Sequence, residues 1–197
     1  MSDYEKYTTI AYKKLWKNIC LFDEIPKRKE KKKFKLALEL GIKDYIRENW
    51  MQIAVSYIAD QEYDVIIPVL EKIYEKYAEV LNNSDKYQLL LYLLQSYVCI
   101  NEFGEKIELC IEELEDFTLD SPTNCDFLFW KSKYYLATGE YEKIKKELNE
   151  HKKEEPRLYY MYELGIKHLY GIEKCIEELN NAQILYPDSW LIKYSYY

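Results

Sequence analysis

Four times between residues 48 and 187 an apolar helical stripe runs into a tight break and a second amphipathic stripe follows. In the first instance Trp50, Ile53, Ala54 and Tyr57 recur at i, i+3, i+4 and i+7, the spacing that puts side chains on one helical face. Ile66, Leu70 and Ile73 repeat such a face after a break at Gln61-Glu62-Tyr63. Leu90, Leu93, Leu94 and Tyr97 begin the second pair; past Asn101-Glu102-Phe103 and one extra residue, Gly104, come Ile107, Ile111 and Leu114. In the third, Leu128, Ser132 and Tyr135 stand where Trp50, Ala54 and Tyr57 stood, and Ile144 and Leu148 face them across Gly139-Glu140-Tyr141. The fourth joins Met161, Leu164, Gly165 and His168 to Cys175, Leu179 and Ala182 across Tyr170-Gly171-Ile172. Counted from Tyr63 to Phe103, Tyr141 and Ile172, the steps are 40, 38 and 31 residues, so the hairpins persist while their connections vary. Pro156 and Pro187 are each read as closing a second helix, because a ring without an N–H halts helical hydrogen bonding.

One hairpin buries a single face, so such units are stable when each covers its neighbour. A chain that is 48% hydrophobic and 32% charged, with only 5 Gly and 5 Pro, suits that demand, and 197 residues suffice for one domain with a sizeable core. The expectation is an all-α stack of about 10–11 helices forming a single domain over residues 1–197. The 22 tyrosines fit it, since a Tyr ring packs between helices while its hydroxyl reaches the wet edge.

These residues resemble the tetratricopeptide repeat, W-x2-L-G-x2-Y, then A-x3-F, then P, with a period near 34 residues. The best single match is Trp50-x2-Ile53-Ala54-x2-Tyr57 followed by Ile66-x3-Leu70, and the resemblance covers about residues 48–187. Lys131 departs from it at an apolar position, His168 replaces the aromatic, and the residue before the inter-helix break is Gly only at Gly139. The resemblance implies a right-handed α–α superhelix of antiparallel helix pairs whose first helices line a concave groove. Carried over by position, that groove includes Met51, Val55, Ile58, Leu91, Gln95, Phe129, Lys133, Tyr159 and Tyr162. The Lys, Arg and Asn set with which family members grip a terminal carboxylate is absent from these positions. Such a groove is apolar and aromatic and suits a hydrophobic or amphipathic segment anchored by aromatic side chains. Against this stands burial of the same residues by a tightly wound superhelix or by the N-terminal cap.

Residues 1–47 fit the repeat poorly and are read as that cap, with one helix over 3–22 (Ile10, Leu15, Trp16, Ile19) and another over about 27–47 (Phe34, Leu38, Leu40, Ile42, Ile46). The second opens on a basic run, Lys27, Arg28, Lys29, Lys31, Lys32, Lys33 and Lys35. It is either a solvated helical face or a docking patch for an acidic partner or nucleic acid. Residues 1–40 hold 11 Lys/Arg against 6 Asp/Glu, and the remainder 17 against 29. An acidic body argues against general nucleic-acid binding, and a basic run without interleaved aromatics is a weak signal for it. Residues 188–197 start a further aromatic helix, which lies back on the last hairpin, pairs with a second copy of the chain, or belongs to a longer array.

Candidate chemistry is sparse. Cys20, Cys99, Cys110, Cys125 and Cys175 form no C-x-x-C pair and read as reduced core residues. His151 and His168 sit in no ligand spacing, and His168 reads as a core histidine on an apolar stripe. The glycines are isolated, so no phosphate-cradling loop is present, and no cofactor or metal is expected. No apolar run approaches a membrane span and Met1-Ser2-Asp3-Tyr4 opens no signal peptide, which points to a cytoplasmic protein. The leading expectation is a non-enzymatic protein- or peptide-binding adaptor using the concave face. A peptide-sensing or inhibitory regulator of a separate enzyme or transcription factor, including a phage- or immunity-type inhibitor, is the alternative, although no helix-turn-helix head is evident in residues 1–47. A nucleic-acid-associated factor using residues 27–35 is the third.

Overall fold

The structure, a computed structural model, describes residues 28–118 and 124–194. The expected helix over 3–22, Lys27, Cys20 and the last three aromatic-rich positions lie outside the described residues. Among those described there are ten α-helices and no strand. The chain divides into two compact units, Met1–Ile100 and Asn101–Tyr197.

The first unit contains α1 (Arg28–Leu40), α2 (Lys43–Ala59), α3 (Tyr63–Tyr77), a 3-10 turn (Ala78–Val80) and α4 (Asn83–Ile100). The single helix expected over 27–47 is two: Gly41, at φ +69°, breaks it, and Lys43 onward belongs to α2. A residue of positive φ turns the chain sharply here, and glycine adopts that conformation without a Cβ clash. The stripes meet in the core, where Phe34, Ile46, Trp50, Ile66, Leu70, Ile73, Leu89 and Leu94 are fully or almost fully buried. Trp50 meets Tyr92 of α4 edge-on, with ring centroids 6.4 Å apart. Burying such side chains stabilises the hairpins by roughly 25 cal/mol per Å² of apolar surface removed from water.

The second unit contains α5 (Glu105–Thr118), α6 (Cys125–Thr138), α7 (Tyr141–His151), α8 (Pro156–Tyr170), α9 (Ile172–Leu185) and α10 (Trp190–Tyr194). Ile144, Leu148, Leu158 and Ala182 have no exposed surface, and Met161 and Leu179 are nearly as buried. Alternate first helices touch within each unit, α2 with α4 and α6 with α8, besides the packing of successive helices. Pro156 opens α8 rather than closing its predecessor, because α7 already ends at His151 and the first helical position needs no N–H. Gly165 lets α8 approach α7 closely, since a Cβ there would lie 3.1 Å from Cγ2 of Ile144.

Every expected break is a turn with one left-handed residue: Gln61 at φ 59°, Asn101 at φ 56°, Gly139 at φ 80° and Gly171 at φ 87°. Two of these turns share one closure. Glu62 N–H donates to the Tyr57 carbonyl at 2.9 Å, and Glu140 N–H to the Tyr135 carbonyl at 2.8 Å. A second regularity joins successive helices, both within a pair and between adjacent pairs. Tyrosines of α4, α6 and α8 donate to glutamates of neighbouring second helices: Tyr97 to Glu71 (2.8 Å), Tyr134 to Glu108 (3.2 Å), Tyr135 to Glu147 (3.3 Å) and Tyr159 to Glu178 (2.9 Å). Each ring is buried while its hydroxyl reaches a carboxylate, which accounts for several of the tyrosines and part of the acidic surplus together.

Candidate functional site

The basic run folds into two kinds of lysine. Lys31 shares the spacing of Phe34 and Leu38 and so points inward; it is 8% exposed. Its ammonium donates to Asp60 Oδ2 at 3.0 Å and Glu62 Oε2 at 2.8 Å and lies 4.0 Å from the Tyr57 ring centroid. Burial works against that charge, yet the hydrogen bonds to Glu62 and Asp60 outweigh it and raise the Lys31 pKa. Arg28, Lys29, Lys32, Lys33 and Lys35 are exposed. Of these, Lys33 stands 4.7 Å over the Tyr45 ring and Lys35 lies 5.7 Å from that of Tyr57. Arg28, Lys31, Lys32 and Lys35 of α1 then line a cavity of about 660 Å³ with Tyr57, Asp60, Glu62 and Val65. That volume is in the range of ligand pockets, roughly 300–1,000 Å³.

A second feature lies in the other unit, on α6. Phe129 and Trp130 meet edge-on with centroids 5.2 Å apart, and Lys133 stands 5.0 Å from each ring. The Arg157 guanidinium lies 5.0 Å over Phe129 and is held by Asp126 at 2.7 Å and Glu155 at 2.9 Å. All four of these aromatic and cationic residues are half-buried, so they present rings and charges on a rigid helical base.

The proposed groove residues divide by accessibility. Met51, Phe129 and Lys133 are half-buried, whereas Val55, Ile58, Leu91, Gln95, Tyr159 and Tyr162 are buried. For the last two the cause is local. Tyr159 is tied to Glu178, and the Lys152 ammonium lies 3.7 Å over the Tyr162 ring while pairing with Glu178 at 3.3 Å. His168 is exposed rather than in the core: it stacks on Tyr141 with centroids 4.3 Å apart and planes 5° from parallel, because its place on the stripe lies past the last buried turn of α8. Cys110 and Cys175 are buried, while Cys99 and Cys125 are half-exposed.

Lys131, the charged departure from the repeat pattern, is 5% exposed and bridges Glu115 at 2.5 Å and Glu147 at 2.6 Å. Glu163 has no such partner. It is 1% exposed with neither carboxyl oxygen hydrogen-bonded, and burial, followed by the charge of Glu178, pushes its pKa up to about 8. Sequence reasoning missed Trp130, Arg157 and the Asp60–Glu62 clamp. The clamp had a signal: a lysine at the spacing of Phe34 and Leu38 needs a carboxylate wherever that face is buried. Among the described residues no group of His, Cys, Asp and Glu side chains could hold a metal ion, and no helix is long and apolar enough to cross a membrane. No family model matches the chain, and no curated protein or solved structure matches it.

Proposed function

We propose that this chain is a non-enzymatic protein- or peptide-binding adaptor. The observation that carries the reading is the platform on α6, where Phe129 and Trp130 lie half-open beneath Lys133 and Arg157. Aromatic and arginine side chains on a rigid base are the groups that carry most of the energy in protein interfaces. Arg157 is positioned in advance by Asp126 and Glu155, so little ordering is required when a partner arrives. The hairpins as successive turns of a right-handed superhelix, and a cytoplasmic setting, belong to the same proposal. The contacts between alternate first helices within each unit support the former, and the free cysteines suit the latter.

Selection from a displayed random-peptide library tests it. The wild-type chain should enrich sequences that a Phe129→Ala/Trp130→Ala variant, shown helical by circular dichroism, fails to retain. Enrichment indifferent to that double substitution would remove the platform from the function.

A further inference from the structure

We propose that the cavity bounded by α1, α2 and α3 binds an acidic peptide segment of a partner protein. The site is separate from the α6 platform and stands on its own observations. Among the described residues four cations and two carboxylates line it, an excess of two positive charges. Lys31 is committed to Asp60 and Glu62. Arg28, Lys32 and Lys35 are exposed, and none has an anionic partner among the described residues. They stand on one helix, α1, while the carboxylates stand opposite them in the turn between α2 and α3. The cavity therefore offers cations along one wall and hydrogen-bond acceptors along the other.

That polarity distinguishes between anionic ligands. An acidic peptide brings carboxylates for Arg28, Lys32 and Lys35 and backbone N–H groups for the outer oxygen of Glu62, whose Oε2 is held by Lys31. A phosphodiester strand brings acceptors alone to its backbone contacts, so the two exposed carboxylates repel it and interrupt the basic track it needs. Base stacking offers no compensation here, because Tyr57 is buried and its ring is covered by Lys31. Val65 and the aliphatic stems of the lysines supply the apolar part of the surface.

Fluorescence anisotropy of a labelled oligoglutamate peptide with the full chain tests the assignment, beside the backbone N-methylated peptide and an oligothymidylate of equal charge. The plain peptide should bind tightest. Arg28→Gln/Lys32→Gln, which removes two exposed charges and leaves Lys31 in place, should weaken it by about tenfold or more. Val65→Trp, which crowds the cavity floor and keeps every charge, should weaken binding, and Phe129→Ala should leave it unchanged. A peptide affinity unchanged by Val65→Trp, loss of binding on Phe129→Ala, or absence of saturable binding to the wild type would overturn the assignment. Oligothymidylate binding as tightly as the peptide would overturn it too, in favour of nucleic acid.

Discussion

Replacing Glu163 by Gln should remove the pH dependence that this one side chain gives to the stability of the α8–α9 pair. Glu163 of α8 is 1% exposed, and both its oxygens lack hydrogen bonds. The nearby cation and hydroxyl are already taken, since Lys152 and Tyr159 serve Glu178 at 3.3 and 2.9 Å. Burial first, and the Glu178 charge second, move the carboxyl from an ordinary 4.5 to about 8. Between those values the unfolded chain has lost this proton and the folded chain has kept it. The unfolded state then binds fewer protons, so stability falls as pH rises through the window, by about 1.4 kcal/mol for each pH unit. At pH 7 the accumulated loss is about 3 kcal/mol. Glu163→Gln preserves the shape of the protonated acid and cannot ionise. Its stability minus that of the wild type should therefore grow by about 3 kcal/mol between pH 4.5 and 7 and level off above pH 8. Urea titrations of both proteins at stepped pH, followed by far-ultraviolet circular dichroism, give that difference directly, because titrations common to both cancel. Faster amide exchange in α8 and α9 of the wild type at the higher pH would localise it. A difference that stays constant across the range would refute the reasoning and show that Glu163 ionises in the fold without penalty.

Three further outcomes follow from packing and charge. Lys131→Met should destabilise the second unit by about 2–3 kcal/mol in chemical denaturation, because it leaves Glu115 and Glu147 facing each other without their cation. Gly165→Ala, which in an open helix would stabilise by up to about 1 kcal/mol, should instead destabilise, because its Cβ meets the fully buried Ile144 at 3.1 Å; Ile144→Leu, which removes that methyl, should recover much of the loss in a double-mutant cycle. Burial and the hydrogen bond to Glu154 hold the Cys125 thiol up at about 11, so alkylation by iodoacetamide at pH 8 should be slow there and faster in Glu154→Gln, read by peptide mass spectrometry.

The helices, their four breaks and most of the buried stripes were legible in the amino-acid order. Trp50, Ile53, Ala54 and Tyr57 fall on one side of α2 whatever lies opposite, because a 3.6-residue period is a local property of the backbone. The breaks at Gln61, Asn101, Gly139 and Gly171 are equally local, each needing one residue in the left-handed region. Where sequence reading went astray locally, at Gly41 and Pro156, a single residue's backbone preference settled the helix boundary. Which charges are structural was decided only in three dimensions. Lys31 and Lys32 are neighbours in a uniform basic run, yet one is clamped by Asp60 and Glu62, 29 and 31 positions away, while the other faces solvent. Lys131 looked like a flaw in an apolar stripe until Glu115 and Glu147 met it from either side. Glu163 gave no sign of being buried without a partner. Periodicity assigns a side chain to a face, but the free energy of a charge depends on what stands within a few ångströms of it, and only the packing of distant segments supplies those neighbours.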